Sequence, residues 1–316
     1  MALEFFNKAM KTLRSPRGMI ISFFYHTAFI WPDKIYLRVM YRMMLGQKLN
    51  LKEPQTFSEK IQWMKLYDRK PEYTVMVDKV KAKDYVSAKI GKEHIIPTLG
   101  VWSDPEEINF DELPSRFVLK INHNSGTGMY ICKDKSNLDV VKVKAELKKG
   151  LKENYYLRNR EWPYKDVPRR ILAEEFIEPA PNVIDLPDYK WYCFDGEPKY
   201  CQVIQNRTTN ETIDFFDIEW NHQNFVGLNP AAGPAAVTPS RPANLETHIR
   251  IAKMLSKGLR FARIDLYETG EKTYFGEITF YPLSGFGVFT PDIYNKLLGQ
   301  MIKLPGERDY DFKNIE

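Results

Sequence analysis

A chain of 316 residues with 43% hydrophobic, 14% aromatic and 28% charged residues holds enough apolar material for two or three packed subdomains, and is neither disordered nor collagen-like. Its formal net charge of +5 comes from dispersed lysines; that suits an anionic small ligand or an anionic membrane face, and no RNA-binding motif, basic helix or zinc spacing points to nucleic acid. Three cysteines, Cys132, Cys193 and Cys201, form no C-x-x-C pair, which argues against a disulfide framework or structural zinc and makes the reducing cytoplasm the expected compartment.

Residues 1–95 carry helical spacing and no strand alternation. The apolar run "MIISFFYHTAFIW", Met19 to Trp31, is too short to span a bilayer, is interrupted by His26 and is followed by no small-residue cleavage site. It reads as neither a signal peptide nor a transmembrane helix. A buried helix is the expectation, and an in-plane membrane contact flanked by Arg14, Arg17, Lys34 and Arg38 is the second reading. "KIYLRVMYRMMLG" predicts a helix ending at Gly46, and "TFSEKIQWMKLYD" one opened by a Thr56–Glu59 capping box. A third helix is predicted across "YTVMVDKVKAKDYVSAKIG", stopping at Gly91.

From residue 96 to 180 the pattern changes to short strands, "HIIPTLGVW", "RFVLKINH", "MYICKD" and "RRILAEEFIE", with a helix over "NLDVVKVKAELKKGLKEN". From 181 to 303, "DYKWYCFDGEPKYCQVIQNR" predicts a hairpin turning at Asp195–Gly196, and "TIDFFDIEW" a further strand. A Pro- and Ala-rich loop follows from Val226 to Asn244, then a helix over "LETHIRIAKMLSKG", the hairpin "FARIDLYETGEKTYFGEITF" and a helix over "DIYNKLLGQMIK". Residues 304–316 read as a charged tail.

Three segments carry chemistry. On the last hairpin, alternation puts Arg263 and Asp265 on one face, with Glu277 and Thr279 on the same side across the turn. A loop of about four or five residues would set the two carboxylates diagonally, about 7–8 Å apart, where they can share Mg²⁺. Thr279 would add an oxygen and Arg263 an anion-gripping charge. A plain surface hairpin with an Arg263–Glu277 pair fits the segment equally well. "FVLKINHNSGTGMYI" puts Lys120 on a strand before Asn124, Ser125, Gly126 and Gly128, whose backbone can curl round a phosphate; an ordinary hairpin turn is the alternative. His123 beside it reads as a hydrogen-bonding residue, with proton transfer as the other possibility. "RRILAEEFIEP" offers an extended edge for an adenine, with Glu174 or Glu175 for its amine, or else a solvated edge strand.

Taken in order, these pieces resemble the ATP-grasp superfamily: "VDKVKAKDY", "VLK", "NSGTG", "AEEFIE", "DYK", "ARIDLY" and "GEITF". Over residues 35–303 the chain is similar to its TupA-like branch, through "LNLKEPQTFSEKIQWMKLYDRKPEYTVMVDKVKAKDYV", "FVLKINHNSG", "DYKWYCFDGEP" and "GEITFYP". The resemblance implies an α+β ATP-grasp fold, two α+β subdomains clamping ATP behind a mainly helical N-terminal region. It implies Lys79, Lys120 and Lys190 on the phosphates, and Asn124, Ser125, Gly126 and Gly128 as a closing flap. Glu174, Glu175 and Ile177 would form the adenine hinge, Asp188 would take the ribose, and Asp265, Glu277 and Thr279 would hold Mg²⁺. Thr279 departs from the family's usual asparagine.

The implied reaction is ATP-dependent carboxylate activation through an acyl phosphate, followed by attack of an amine. Arg263 and Lys190 would be the catalytic pair, and Ser284 and Gly285 in "YPLSGFG" the acceptor-site candidates. The branch's association with bacterial surface polysaccharide and teichuronopeptide implies a uronic acid carboxylate as acceptor, at the inner face of the membrane. A sugar kinase or a glycosyltransferase of the same pathway is the rival. "DFFD" is wrongly spaced for a glycosyltransferase D-x-D site, no base for a kinase is evident, and no residue argues for an oligomer.

Overall fold

The computed structural model describes residues 15–306, apart from 180–182, 184, 229–231 and 271. Arg14 and the expected tail from residue 307 onward lie outside the described residues.

Five helices open the described chain: α1 (Pro16–His26), α2 (Asp33–Leu45), α3 (Phe57–Tyr67), α4 (Pro71–Val77) and α5 (Lys81–Ile90). Their ends follow the local code. Gly46 closes α2 with a left-handed φ of +75°, and Thr56 and Glu59 form both bonds of the expected capping box. Two expectations fail. The single helix expected over 73–91 is broken at 78–80, because Asp78 Oδ1 accepts from Val80 N at 3.0 Å and from the Asn122 side chain at 2.8 Å. That second partner is 44 residues away and invisible to local periodicity. Nor is the Met19–Trp31 helix buried: Met19 and Phe23 are each 55% exposed and Phe29 73%. The helix is apolar on both sides, and only the side bearing Gly18, Ile21 and Tyr25 packs inward.

The middle of the chain forms a small antiparallel sheet of β1 (Thr98–Trp102), β2 (Phe117–Ile121), β3 (Tyr130–Cys132) and β4 (Ile171–Glu175), in the order β1-β4-β2-β3. Helix α6 (Val140–Lys152) lays Val143 and Leu147 against Phe117, Leu119 and Ile171, giving this sheet its own core. A short helix, α7 (Tyr155–Asn159), follows and was not foreseen.

The large sheet is built from β5 (Asp188–Phe194), β6 (Glu197–Gln205), β7 (Thr212–Asp217), and, after a two-residue strand β8 (Val226–Gly227) in the expected loop, β9 (Phe261–Thr269) and β10 (Lys272–Thr279). Its order is β10-β9-β5-β6-β7, all antiparallel. The β5–β6 turn uses Asp195 and Gly196 at φ +49° and +80°, as two-residue hairpins require. Helix α8 (Leu245–Ser256) covers one face; β11 (Phe289–Thr290) pairs with β8 and leads to α9 (Ile293–Met301). Trp191, Tyr192, Phe215 and Phe261 share one core with Phe57, Ile61 and Tyr73 of the N-terminal helices. Each such fully buried side chain contributes roughly 1.5–3 kcal/mol, so α3 and α4 are bonded into the large sheet's foundation.

Candidate active site

The β9–β10 hairpin carries the acidic face. Strand pairing resumes at once after Thr269, which faces Lys272, so the loop is tighter than the four or five residues expected. Counted regularly from there, Glu277 would face Ile264 on the core side. A bulge at Gly276 absorbs one residue and sets Glu277 directly opposite Asp265, and Thr279 opposite Arg263. The expected diagonal arrangement is thus corrected to a direct pair.

Charges crowd this face. Arg263 grips Asp265 with two bonds of 2.7 and 2.8 Å, and reaches Glu277 at 3.2 Å and Thr279 at 3.1 Å. Lys190, beside Asp265 on β5, donates to Asp265 Oδ2 and lies 3.6 Å from Asp188, which Arg207 holds at 2.7 Å. Burial pushes the Glu277 carboxyl up, but Lys79, Arg263 and Lys190 outweigh it and hold the group at about 2. Thr279 donates to Glu277 at 2.9 Å and accepts from Arg263, so its hydroxyl is spent on orienting those two groups. Among the described residues no cluster of three or more His, Cys, Asp or Glu forms a metal cage. Two carboxylates side by side are a donor pair that Mg²⁺ would take, with phosphates and water supplying its other oxygens.

The small sheet supplies the opposite wall. Asn122, His123, Asn124 and Gly128 are buried, whereas Ser125 and Gly126 are exposed; Gly126 and Gly128 adopt φ +88° and +73°. Of the residues expected to form a closing flap, Ser125 and Gly126 are the exposed ones. Lys79 emerges from the α4–α5 break and donates to Asn124 O at 2.5 Å. Its ammonium pKa is lowered by burial. His123 bonds Glu153 O at 3.0 Å, and burial lowers its pKa; it holds the loop to the end of α6. Glu174 points into the cleft between Lys83 at 2.6 Å and Lys120 at 2.5 Å, whereas Glu175 turns outward on the alternating strand and neither it nor Ile177 lines the cleft. The hinge expectation thus retains only Glu174 at the cleft. Lys83, one helical turn past Lys79, and Arg207 were missed; the i, i+4 lysine spacing was the available signal.

The cleft between the sheets encloses ≈ 200 Å³ and is lined by Lys79, Lys120, Gly126, Asp188, Lys190 and Glu277. A second cavity of ≈ 870 Å³ adjoins it, sharing Ser125, Lys190, Arg207 and Glu277. Its walls include Arg263, Thr279, Tyr155, Glu161, Tyr164 and Ser284. Ser284, one of the expected acceptor-site candidates, lies on this wall. Gly285 does not: it packs on α3, where a Cβ would lie 2.5 Å from Ile61, and its carbonyl accepts from Gln62 at 3.1 Å. Glu161, unforeseen because it belongs to no motif, accepts from the Ser284 hydroxyl and lies 3.4 Å from Tyr155 OH.

Two antiparallel sheets, one bringing lysines and a glycine loop and the other an acidic hairpin to a common cleft, define the ATP-grasp class of fold. The TupA-like ATPgrasp family matches residues 59–303. The chain belongs to that family.

Solved structures of similar fold include D-alanine–D-alanine ligase from Bacillus anthracis complexed with ATP (18% identity, 66% of this chain and 54% of that one, TM-score 0.38). The Helicobacter pylori D-alanine–D-alanine ligase (15%, 78% and 69%, TM-score 0.44) and the ATP-grasp ligase PsnB with a precursor variant, Mg and ADP (12%, 78% and 60%, TM-score 0.36) are others. The chain spans about half the length of the first of these. No curated protein matches the sequence.

Proposed function

We propose that the protein is an ATP- and Mg²⁺-dependent carboxylate–amine ligase. The observation that carries this reading is that Glu277, Lys190, Arg207 and Ser125 border both cavities, so a phosphate held in the smaller one faces an acceptor in the larger one. Lys79, Lys120 and Lys190 hold the phosphates, with the backbone of Ser125–Gly128 closing over them. Asp265 and Glu277 would hold Mg²⁺, which would supply neutralisation of charge on the phosphate oxygens. The acceptor carboxylate attacks the γ-phosphorus, ADP leaves, and Arg263 faces the negative charge of the acyl phosphate. The amine then forms the C–N bond as phosphate departs. The chain's part is positioning, charge neutralisation and exclusion of water from the intermediate.

Within this reading the acceptor is a uronic acid carboxylate of a bacterial surface polysaccharide, a choice resting on the family association. The compartment is cytoplasmic, with peripheral contact at the inner face of the membrane. Exposed Met19, Phe23, Phe29 and Ile30 support that contact. So does the sequence to residue 48, where Lys8, Lys11, Arg14, Arg17, Lys34, Arg38, Arg42 and Lys48 face only Glu4 and Asp33. No helix among the described residues is long and apolar enough to cross a membrane.

A sugar kinase remains the second reading because Glu161 supplies the carboxylate base at the acceptor that such an enzyme needs. The test is ADP release with a panel of uronic acids and hydroxylamine. Carboxylate-dependent ADP with a hydroxamate product supports the ligase; a phosphorylated hydroxyl without hydroxamate supports the kinase and refutes it.

A further inference from the structure

Glu161 is a buried carboxylate, 4% exposed, in the wall of the larger cavity. Both of its hydrogen-bond donors, Ser284 Oγ and Tyr155 OH, reach Oε1. Among the described residues no hydrogen bond reaches Oε2, and no cation lies within ion-pair distance of the carboxylate. The backbone that brings it there is strained on both sides: Arg160 at φ +59°, and Leu283 and Ser284 at φ +43° and +54°, are non-glycine residues in the left-handed region. Strain at two segments that meet at one contact is the mark of a site whose geometry is maintained for chemistry.

We propose, on the basis of the ligase reading, that Glu161 is the general base that binds the incoming substrate amine and deprotonates it for attack on the acyl phosphate. An amine arrives at neutral pH as an ammonium, which has no lone pair to donate. Glu161 Oε2 takes one proton. The freed lone pair forms the bond to the acyl carbon, the bond from that carbon to the phosphate oxygen breaks, and its electron pair leaves with the phosphate, which takes the second nitrogen proton. The rings of Tyr155 and Tyr164, 4.8 Å apart edge to face, line the same wall and offer π-faces to a cation.

The charged and titratable groups facing Glu161 are Lys65 from α3, Tyr155 from α7, Tyr164, Glu277 from β10, and Tyr281 beyond it. Lys65 is kept at a distance: its ammonium donates to Asn159 O at 2.8 Å and Ser284 O at 2.7 Å. Burial raises the Glu161 pKa while Glu277 on the same cavity is held at about 2. Two carboxylates pushed apart in this way divide into a proton acceptor and a permanently ionised group.

The test uses the full chain with Mg-ATP and glucuronate or galacturonate, and compares amide formed from amino acids with hydroxamate formed from hydroxylamine, which is uncharged at neutral pH and needs no base. For Glu161→Gln the amide-to-hydroxamate ratio at pH 7 falls by roughly 10²-fold or more, and the deficit shrinks as pH approaches the amine's own pKa. Ser284→Ala, which removes a donor to the carboxylate without touching its charge, moves the acid limb of amide formation to higher pH than that of hydroxamate formation in the same variant. An unchanged ratio in Glu161→Gln, or Ser284→Ala limbs moving together for both products, overturns the proposal. Absence of hydroxamate from the unsubstituted protein, with ATP consumed and a hydroxyl phosphorylated, refutes the ligase reading itself and the amine base with it.

Discussion

Glu174 distinguishes two accounts of the nucleotide cleft. As a contact to the adenine amine it would help hold ATP; as placed, it neutralises Lys83 and Lys120 at 2.6 and 2.5 Å. Burial pushes its carboxyl pKa up, but the two lysines outweigh that and lower it. Glu174→Gln leaves two adjacent ammonium groups without their shared counter-charge. Removing one member of a buried ion pair costs about 3–5 kcal/mol. The lysine side chains retain 13% and 21% exposure, so water repays part of the loss and the low end, about 3 kcal/mol, applies. At about 2–4 °C per kcal/mol for a chain of this class, Tm falls by roughly 6–12 °C. Phosphates then restore the missing negative charge, so the Tm gain on adding Mg-ATP is larger in the variant than in the unsubstituted protein. Thermal melts across an ATP titration measure both shifts. A smaller gain in the variant would refute the charge argument and return Glu174 to the adenine.

The loop glycines should separate by packing. Both need positive φ, worth about 1 kcal/mol to any other residue, but an alanine Cβ at Gly126 meets nothing within 4 Å, while at Gly128 it falls 2.5 Å from Ile121 and 3.3 Å from Gly150. Gly128→Ala is therefore the more destabilising by about 1–3 kcal/mol, and equal urea midpoints for the two variants would contradict this. Glu277 has its folded pKa depressed from 4.5 to about 2, so its contribution to stability is fully present above about pH 5 and is lost as pH falls towards 2. The stability gap between the protein and Glu277→Gln should be flat above pH 5 and change only below it, as acid unfolding curves would reveal, with Mg²⁺-dependent turnover down roughly 10²–10³-fold at pH 7. For the helical N-terminus, sedimentation with anionic vesicles should exceed that with neutral ones, weaken in high salt and drop in Phe23→Ser/Phe29→Ser; equal binding to both vesicle types would count against the lipid contact.

What the sequence revealed was mostly what neighbouring residues decide among themselves. The Thr56 capping box, the Gly46 stop and the Asp195–Gly196 turn depend on residues within a few positions, and all stand as expected. Alternation alone put Arg263, Asp265, Glu277 and Thr279 on one face, although the bulge that makes this true rests on a single extra glycine. What was hidden rests on distant partners. Asn122 breaks the helix at Asp78 from 44 residues away, and Glu161 meets Ser284 across 123 residues. Burial of α1 was misjudged because its apolar count says nothing about whether a second surface exists to cover it. Gly285 was misplaced because the turn that brings Ser284 to the cavity points the next residue into α3.

The Asp78–Asn122 contact also links two parts of the clamp mechanically. The Asn122 side chain donates to Asp78 and to Pro168 O and accepts from Arg170 N, while Lys79 bonds Asn122 O through its backbone and Asn124 O through its ammonium. Lys79 belongs by sequence to the helical region, yet it is tethered to the glycine loop at both ends. Because α4, which ends two residues earlier, is packed into the core of the large sheet, Lys79 is a rivet between the two halves of the cleft, and a displacement of the loop would strain it.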